Sequence, residues 1–142
     1  MLDARRIAVT GAGGYIGSRV VHDFLEAGAE VIGIDDCSGN QLSSFSDAAF
    51  ETVDIRDADT LRDSLSGVDA VCHLAAISGI PDCEEDPKRA FEVNVQGTEN
   101  VAWYCREHGI PLAFASSMAV IGEPVEFPIG PDHRREPVSL YG

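Results

Sequence analysis

The chain has 142 residues, 44% of them hydrophobic, enough for one domain with a core of its own. Its 24 acidic residues against 10 basic ones give a formal net charge of -14, a surface that repels nucleic acid and anionic membranes. No segment approaches the roughly 18 apolar residues a membrane helix needs, and Met1–Arg6 leads into a strand-like run rather than a secretory hydrophobic region, so a cytoplasmic protein without a membrane partner is expected.

The pattern alternates strand and helix along the chain, which predicts a parallel sheet covered on both faces. Strand one is read at Arg5–Thr10 and helix one at Tyr15–Ala27, closed by Gly28. Strand two, Glu30–Ile34, runs into Asp35-Asp36, and a polar loop from Cys37 to Asp47 follows. Phe50–Val53 reads as strand three. Asp57 caps a short helix through Leu65 that Gly67 stops. Strand four is Ala70–Leu74. A loop with Gly79 and Pro81 then leads to a long helix from about Asp86 to His108, ended by Gly109. Strand five, Pro111–Ala115, ends in Ser116-Ser117, and Met118–Ser139 reads as loop. One domain is expected, a Rossmann-type doubly wound sheet whose right-handed crossovers give the order 3-2-1-4-5 with ligand at the carboxyl edge.

Lys88 is the sole lysine, every other basic residue being arginine. Many carboxylates with few lysines suit a high-salt cytoplasm, and a halophilic surface is expected. Cys37, Cys72, Cys83 and Cys105 form no CxxC pair and no zinc spacing, so reduced thiols and no metal site are expected.

The chemistry begins at Gly11, Gly14 and Gly17, between strand one and helix one. Glycine there allows a tight turn, close approach of a pyrophosphate, and packing of helix on strand. The spacing is GxxGxxG; Ile16 takes the last place of the GxGxxG pattern. About twenty residues on, Asp35 ends strand two, where a carboxylate accepts hydrogen bonds from adenosine ribose hydroxyls. That charge, with Asp36 beside it, disfavours a 2'-phosphate, so NAD is expected over NADP. Asp54-Ile55 after strand three reads in two ways: an adenine contact, with a carboxylate for the amino group and an apolar face for the ring, or a simple helix entry. Leu74-Ala75-Ala76 closes strand four with small residues that let a cofactor lie against the sheet edge.

Together these residues resemble the extended short-chain dehydrogenase/reductase family, the NAD-dependent nucleotide-sugar epimerases and dehydratases. Thr10–Gly17 is similar to its glycine motif, Asp54-Ile55 to its adenine contact, and His73-Leu74-Ala75-Ala76 to its strand-four signature. Asn94-Val95-Gln96-Gly97-Thr98 is similar to its helix motif, in which the asparagine supports the active site. Phe114–Gly122 resembles the strand-five segment carrying a catalytic serine at Ser117, and Pro137–Gly142 the start of the YxxxK motif. The resemblance implies cofactor contacts at Gly11, Gly14, Tyr15, Ile16, Gly17, Asp35, Asp36, Asp54, Ile55, Leu74, Ala75, Ala76, Asn94 and Ser116.

It also implies that Tyr141 is the acid/base for a sugar hydroxyl, hydride passing to the nicotinamide, while Ser117 hydrogen-bonds the reacting oxygen. An ordinary phenol pKa near ~10 is too high for this task at neutral pH, and in the family a lysine one helical turn later lowers it. Here the chain stops at Gly142. The reading is therefore the amino-terminal part of a longer architecture, lacking the last core elements and the substrate domain, and without normal catalysis in this form. Met118-Ala119 stands where sugar dehydratases have an Asp-Glu pair, and Ile121 where many members have an aromatic residue. An epimerase is the first expectation; a sugar dehydrogenase or a non-catalytic NAD-binding module are the alternatives. The exposed edge of such a sheet predicts a homo-oligomer or association with further chain.

Overall fold

A computed structural model describes residues 6–39 and 48–142. It contains β1 (Arg6–Thr10), α1 (Tyr15–Glu26), β2 (Glu30–Asp35), β3 (Ala49–Thr52), α2 (Ala58–Ser64) and β4 (Ala70–His73). These are followed by α3 (Ile80–Glu85), α4 (Pro87–Phe91), a π-helical segment (Glu92–Gly97), α5 (Thr98–His108) and β5 (Leu112–Phe114). A 3-10 turn, Met118–Ile121, comes last. Arg5 and most of the expected Cys37–Asp47 loop lie outside the described residues.

All strand pairs are parallel and the order is β3-β2-β1-β4-β5, as the crossover rule requires. β1 is central: Ile7 pairs with Val31 on one side and Ala70 on the other. Its alternation sorts two cores. Ile7 and Val9 point to Ala12, Val21 and Val31 under α1. Ala8 points the other way, to Ile32, Ile34, Leu61, Val71, Val101 and Tyr104 under α2 and α5. A strand buried on both faces must be apolar at nearly every position, which is why this run shows no polar alternation. Each fully buried Val, Leu or Ile contributes roughly 1.5–3 kcal/mol.

Three stretches differ from the sequence reading. The loop before the long helix contains α3, which Pro81 starts well because a proline in the first turn forfeits no intrahelical bond. The long helix is not uniform. Asp86 caps α4 through the Arg89 amide, and the backbone then stays helical while widening to π pitch over Glu92–Gly97. π turns arise where a side chain is re-aimed inside a helix, and this one carries Asn94. Finally, the tail is not plain loop: Gly122 bridges Glu136, whose amide bonds the Ile121 carbonyl at 3.3 Å.

Asp57 caps α2 as its position predicts, its carboxylate accepting the Asp59 and Thr60 amides. Gly28, Gly67 and Gly109 all stand at positive φ at the predicted helix ends. Cys83 and Cys105 are buried, Cys72 and Cys37 half-buried, and all are free thiols; burial pushes the first two and Cys72 up from the ordinary thiol range.

Candidate functional site

The parallel strands end together, which brings Thr10, Asp35, Thr52, His73 and Phe114 to one edge of the sheet. The connections part there: β1 leads through α1 to β2 on one side, and β4 leads through α5 to β5 on the other. This is the switch point where doubly wound sheets take ligand.

The glycine turn fills the gap between β1 and α1. Gly11 has φ +69 and its Cα lies against β4's exit: a Cβ there would stand 2.7 Å from the Ala75 nitrogen. Gly17 sits in the first turn of α1 directly over Gly11, and a Cβ on it would collide with the Gly11 carbonyl oxygen. The Gly11 carbonyl accepts the Gly14 amide at 3.1 Å, closing the turn. Gly14 caps α1 with no side-chain bond, and the first turn holds no acid. The amide end of α1 is thus clear and bears the positive end of its dipole, which suits a phosphate. Tyr15, 85% exposed, and Ile16 stand at its rim.

Asp35 meets this turn. Its Oδ2 accepts the Gly13 amide at 2.9 Å, and its Oδ1 accepts the Cys37 amide at 2.8 Å. Asp36 turns outward onto Ser38, accepting its amide at 2.9 Å and its hydroxyl at 2.7 Å. The two acids have different tasks, a division invisible in the dipeptide.

Asp54 carries the adjoining corner. Its carboxylate takes Arg56 Nη2 at 2.6 Å, and Arg56 reaches on to Glu92 at 3.2 Å. The Arg56 hydrogen bond holds the Asp54 carboxyl below the usual carboxylate range against some burial. Ile55 departs from the expected ring face. It is 5% exposed and its side chain packs in the α2/α5 core, so tightly against Gly97 that a Cβ there would lie 2.6 Å from Ile55 Cδ1. Asn100 fixes the same corner, donating to the Ile55 carbonyl at 2.9 Å.

Residues 74–77 after β4 are held from several sides. The Thr10 hydroxyl accepts the Leu74 and Ala75 amides, both at 3.2 Å. Asn94 clamps Ile77 with both ends of its amide, Oδ1 accepting N–H at 2.8 Å and Nδ2 donating to the carbonyl at 2.9 Å. Asn94 therefore shapes the segment flanked by Ala75 and Ala76. Sequence reading of the residues alone missed His73 as a polar centre. It is 1% exposed, bonds Thr10 Oγ1 at 2.6 Å through Nδ1 and Thr98 Oγ1 at 2.9 Å through Nε2, and burial lowers its pKa to about 4.

Beyond β5, Ser116 is exposed, and the Ser117 hydroxyl accepts the Ala119 amide at 3.2 Å to start the 3-10 turn. Gly142 packs on that turn: a Cβ on it would meet the Ala119 carbonyl and stand 2.7 Å from Pro137 Cβ. Tyr141, half-buried, is thereby brought to the segment that carries Ser117. Lys88 projects from α4 and pairs with Glu92 at 3.6 Å.

A doubly wound parallel sheet with a glycine turn, a strand-two acid and a cleared helix end defines a Rossmann-type nucleotide-binding fold. Residues 7–142 match the profile of the NAD dependent epimerase/dehydratase family, and the chain belongs to that family. It is 37% identical to a UDP-glucose 4-epimerase of Halalkalibacterium halodurans over 140 residues, which cover 96% of this chain and 42% of the relative. The enzyme of the same name from Streptomyces lividans is 35% identical, with 94% and 42% covered. Among solved structures, UDP-glucose 4-epimerase from Brucella ovis in complex with NAD superposes with a TM-score of 0.91 at 29% identity, covering 97% of this chain and 43% of that one. The Thermus thermophilus enzyme in complex with NAD gives 0.87 at 32% identity, covering 96% and 46%. The chain spans less than half the length of these relatives.

Proposed function

We propose that this chain binds NAD at the β1–β4 switch point as the cofactor-binding portion of a nucleotide-sugar epimerase. The observation that carries the reading is the meeting of the glycine turn with Asp35, a cleared helix end beside a fixed carboxylate. The glycines leave the space a pyrophosphate needs, and the donor set suits a dinucleotide. Gly11, Gly14 and Gly17, with the amides of Tyr15 and Ile16, would hold the phosphates. Asp35 would take the ribose hydroxyls, while Asp36 adds negative charge against a 2'-phosphate. Asp54 would face the adenine amino group, with Ile55 contributing through its backbone since its side chain is in the core. Leu74, Ala75, Ala76, Asn94 and Ser116 would border the remainder.

NAD supplies a hydride acceptor when bound. The chain's part in the chemistry is to orient a sugar hydroxyl: Ser117 would hydrogen-bond its oxygen, and Tyr141 would exchange its proton. A phenol needs a cation beside it for that exchange near neutral pH, and the sole lysine is paired with Glu92 in α4. The 142 residues by themselves are proposed to bind NAD without normal turnover; the second reading is a binding module without chemistry. Self-association through the β5 edge, where Phe114 is 60% exposed, belongs to the first reading. A concentration-independent monomer in size-exclusion chromatography would remove it.

Calorimetric titration tests the site: NAD should bind at least about tenfold tighter than NADP, because the Asp35 and Asp36 charges oppose the extra phosphate. Equal affinities, or no binding, would overturn it. Assay of the chain with NAD and UDP-sugars tests the rest, and full turnover would refute the proposed lack of catalysis.

A further inference from the structure

His73 joins three elements at the carboxyl edge of the sheet. Its Nδ1 meets Thr10 at the end of β1, its Nε2 meets Thr98 in α5, and its ring stacks on Phe114 of β5 with centroids 5.9 Å apart. Thr10 is wholly buried, so no solvent can complete its bonding. A hydroxyl has one hydrogen and two lone pairs. The Ala75 amide donates to this oxygen and the Leu74 amide divides between it and the Thr10 carbonyl at 3.1 Å, so its other partners are donors and the hydroxyl hydrogen goes to His73 Nδ1. The imidazole therefore carries its hydrogen on Nε2 and gives it to Thr98. The other tautomer would aim a third donor at that oxygen and leave the buried hydroxyl hydrogen without an acceptor.

Those amides matter because of where they sit. The Ala75 nitrogen and the Leu74 carbonyl carbon would lie only 2.7 and 2.8 Å from a Cβ on Gly11, so the glycine turn and the exit of β4 touch backbone to backbone. Any movement of residues 74 and 75 is felt by the turn.

We infer that His73 is a positioning residue of the cofactor cradle: as the Nε2–H tautomer it fixes the Thr10 hydroxyl, which holds Leu74 and Ala75 against the glycine turn. The inference builds on the NAD reading for its consequence, but its mechanism is a property of the protein alone. Burial supports it, since the ring's pKa of about 4 keeps it neutral across the physiological range.

Three measurements test it. Long-range ¹H–¹⁵N spectra of the native chain should show His73 protonated at Nε2 and bare at Nδ1; the Nδ1–H form overturns the inference outright. His73→Phe keeps a ring against Phe114 but offers Thr10 no acceptor, and should speed hydrogen exchange at Ala75 about tenfold, with less change at Leu74, and raise the NAD Kd about tenfold. His73→Asn returns an amide oxygen near the Nδ1 position, and should restore both to within about threefold, whereas Thr98→Ser, which keeps the hydroxyl that takes the Nε2 hydrogen, should change neither by more than that. Native exchange and native affinity in His73→Phe, or no recovery in His73→Asn, refute the role. If His73→Phe does not fold, the native tautomer and the His73→Asn variant still decide. Should the native chain fail to bind NAD while the tautomer and exchange results hold, the NAD reading falls and the positioning role stands.

Discussion

The Asp35 carboxylate accepts the Gly13 amide at 2.9 Å across the gap between β2 and the glycine turn. The acid is a strut of the cradle as well as the proposed partner for ribose. Asp35→Asn keeps the volume but replaces one acceptor oxygen with a donor, which cannot satisfy Gly13 and Cys37 together. A hydrogen bond to a charged group is worth about 1.5–3 kcal/mol. We expect NAD affinity to fall at least about tenfold, with a loss of about 1–2 kcal/mol in denaturant stability; calorimetry and urea unfolding read the two effects.

Gly14 and Gly17 should respond unequally to one methyl group. A Cβ on Gly14 would lie 3.2 Å from the Gly11 carbonyl oxygen, a tight but relievable contact, whereas one on Gly17 would overlap that oxygen and crowd Ala12. Only backbone can move to relieve the second. Gly17→Ala is expected to cost about 3 kcal/mol or more and to abolish NAD binding, and Gly14→Ala about 1 kcal/mol. Paired thermal melts and titrations separate them.

Asn94 is expected to show a donor–acceptor asymmetry. Asn94→Asp keeps an acceptor for the Ile77 amide but sets a carboxylate against the Ile77 carbonyl, while Asn94→Ala leaves both groups unpaired. Each unsatisfied partner costs about 1–3 kcal/mol. Both variants should lose stability in urea, and hydrogen exchange should speed at Ile77 in Asn94→Ala first.

His73 makes stability depend on pH. Its folded pKa of about 4 lies below the ordinary 6.5, so the unfolded chain binds the extra proton. The contribution is fully present above pH 6.5 and is lost as pH falls toward 4, amounting to about 3 kcal/mol at most. Subtracting the pH profile of His73→Asn from that of the native chain isolates this slope from the many carboxylates. A flat difference between pH 7 and pH 4.5 would show that His73 titrates normally.

Arg56 should control Asp54. Its guanidinium holds that carboxyl low, so Arg56→Gln is expected to raise the Asp54 pKa toward the ordinary value, followed by carboxyl ¹³C titration. Both side chains are about one-third exposed, so solvent screening limits the pair to less than about 1 kcal/mol.

Much of this could be read from the sequence, and for definite reasons. The apolar run Ile7–Val9, the cap at Asp57 and the stops at Gly28, Gly67 and Gly109 are local signals, so the strands and helices fell within a residue or two of their places. Asp35 was legible because a strand's length fixes which residue reaches the sheet edge. The α3 helix was hidden by Gly79 and Pro81, which mark loops and helix starts alike. The π-helical widening was hidden because the segment carries Asn94, whose partner Ile77 lies 17 residues away in the chain.

The parallel sheet, its order, the glycine turn and the acid beside it are written in the chain, since each follows from periodicity, chain chirality or the demands of one residue type. Tertiary structure alone decided which atoms those residues bond. It gave Asp35 to Gly13 and Asp36 to Ser38, sent the Ile55 side chain into the core, and joined His73 to Thr10 and Thr98 over separations of 63 and 25 residues. Burial is the physical reason: once water is excluded, each polar group must find a partner inside the fold, and that partner is set by packing rather than by its neighbours in the chain.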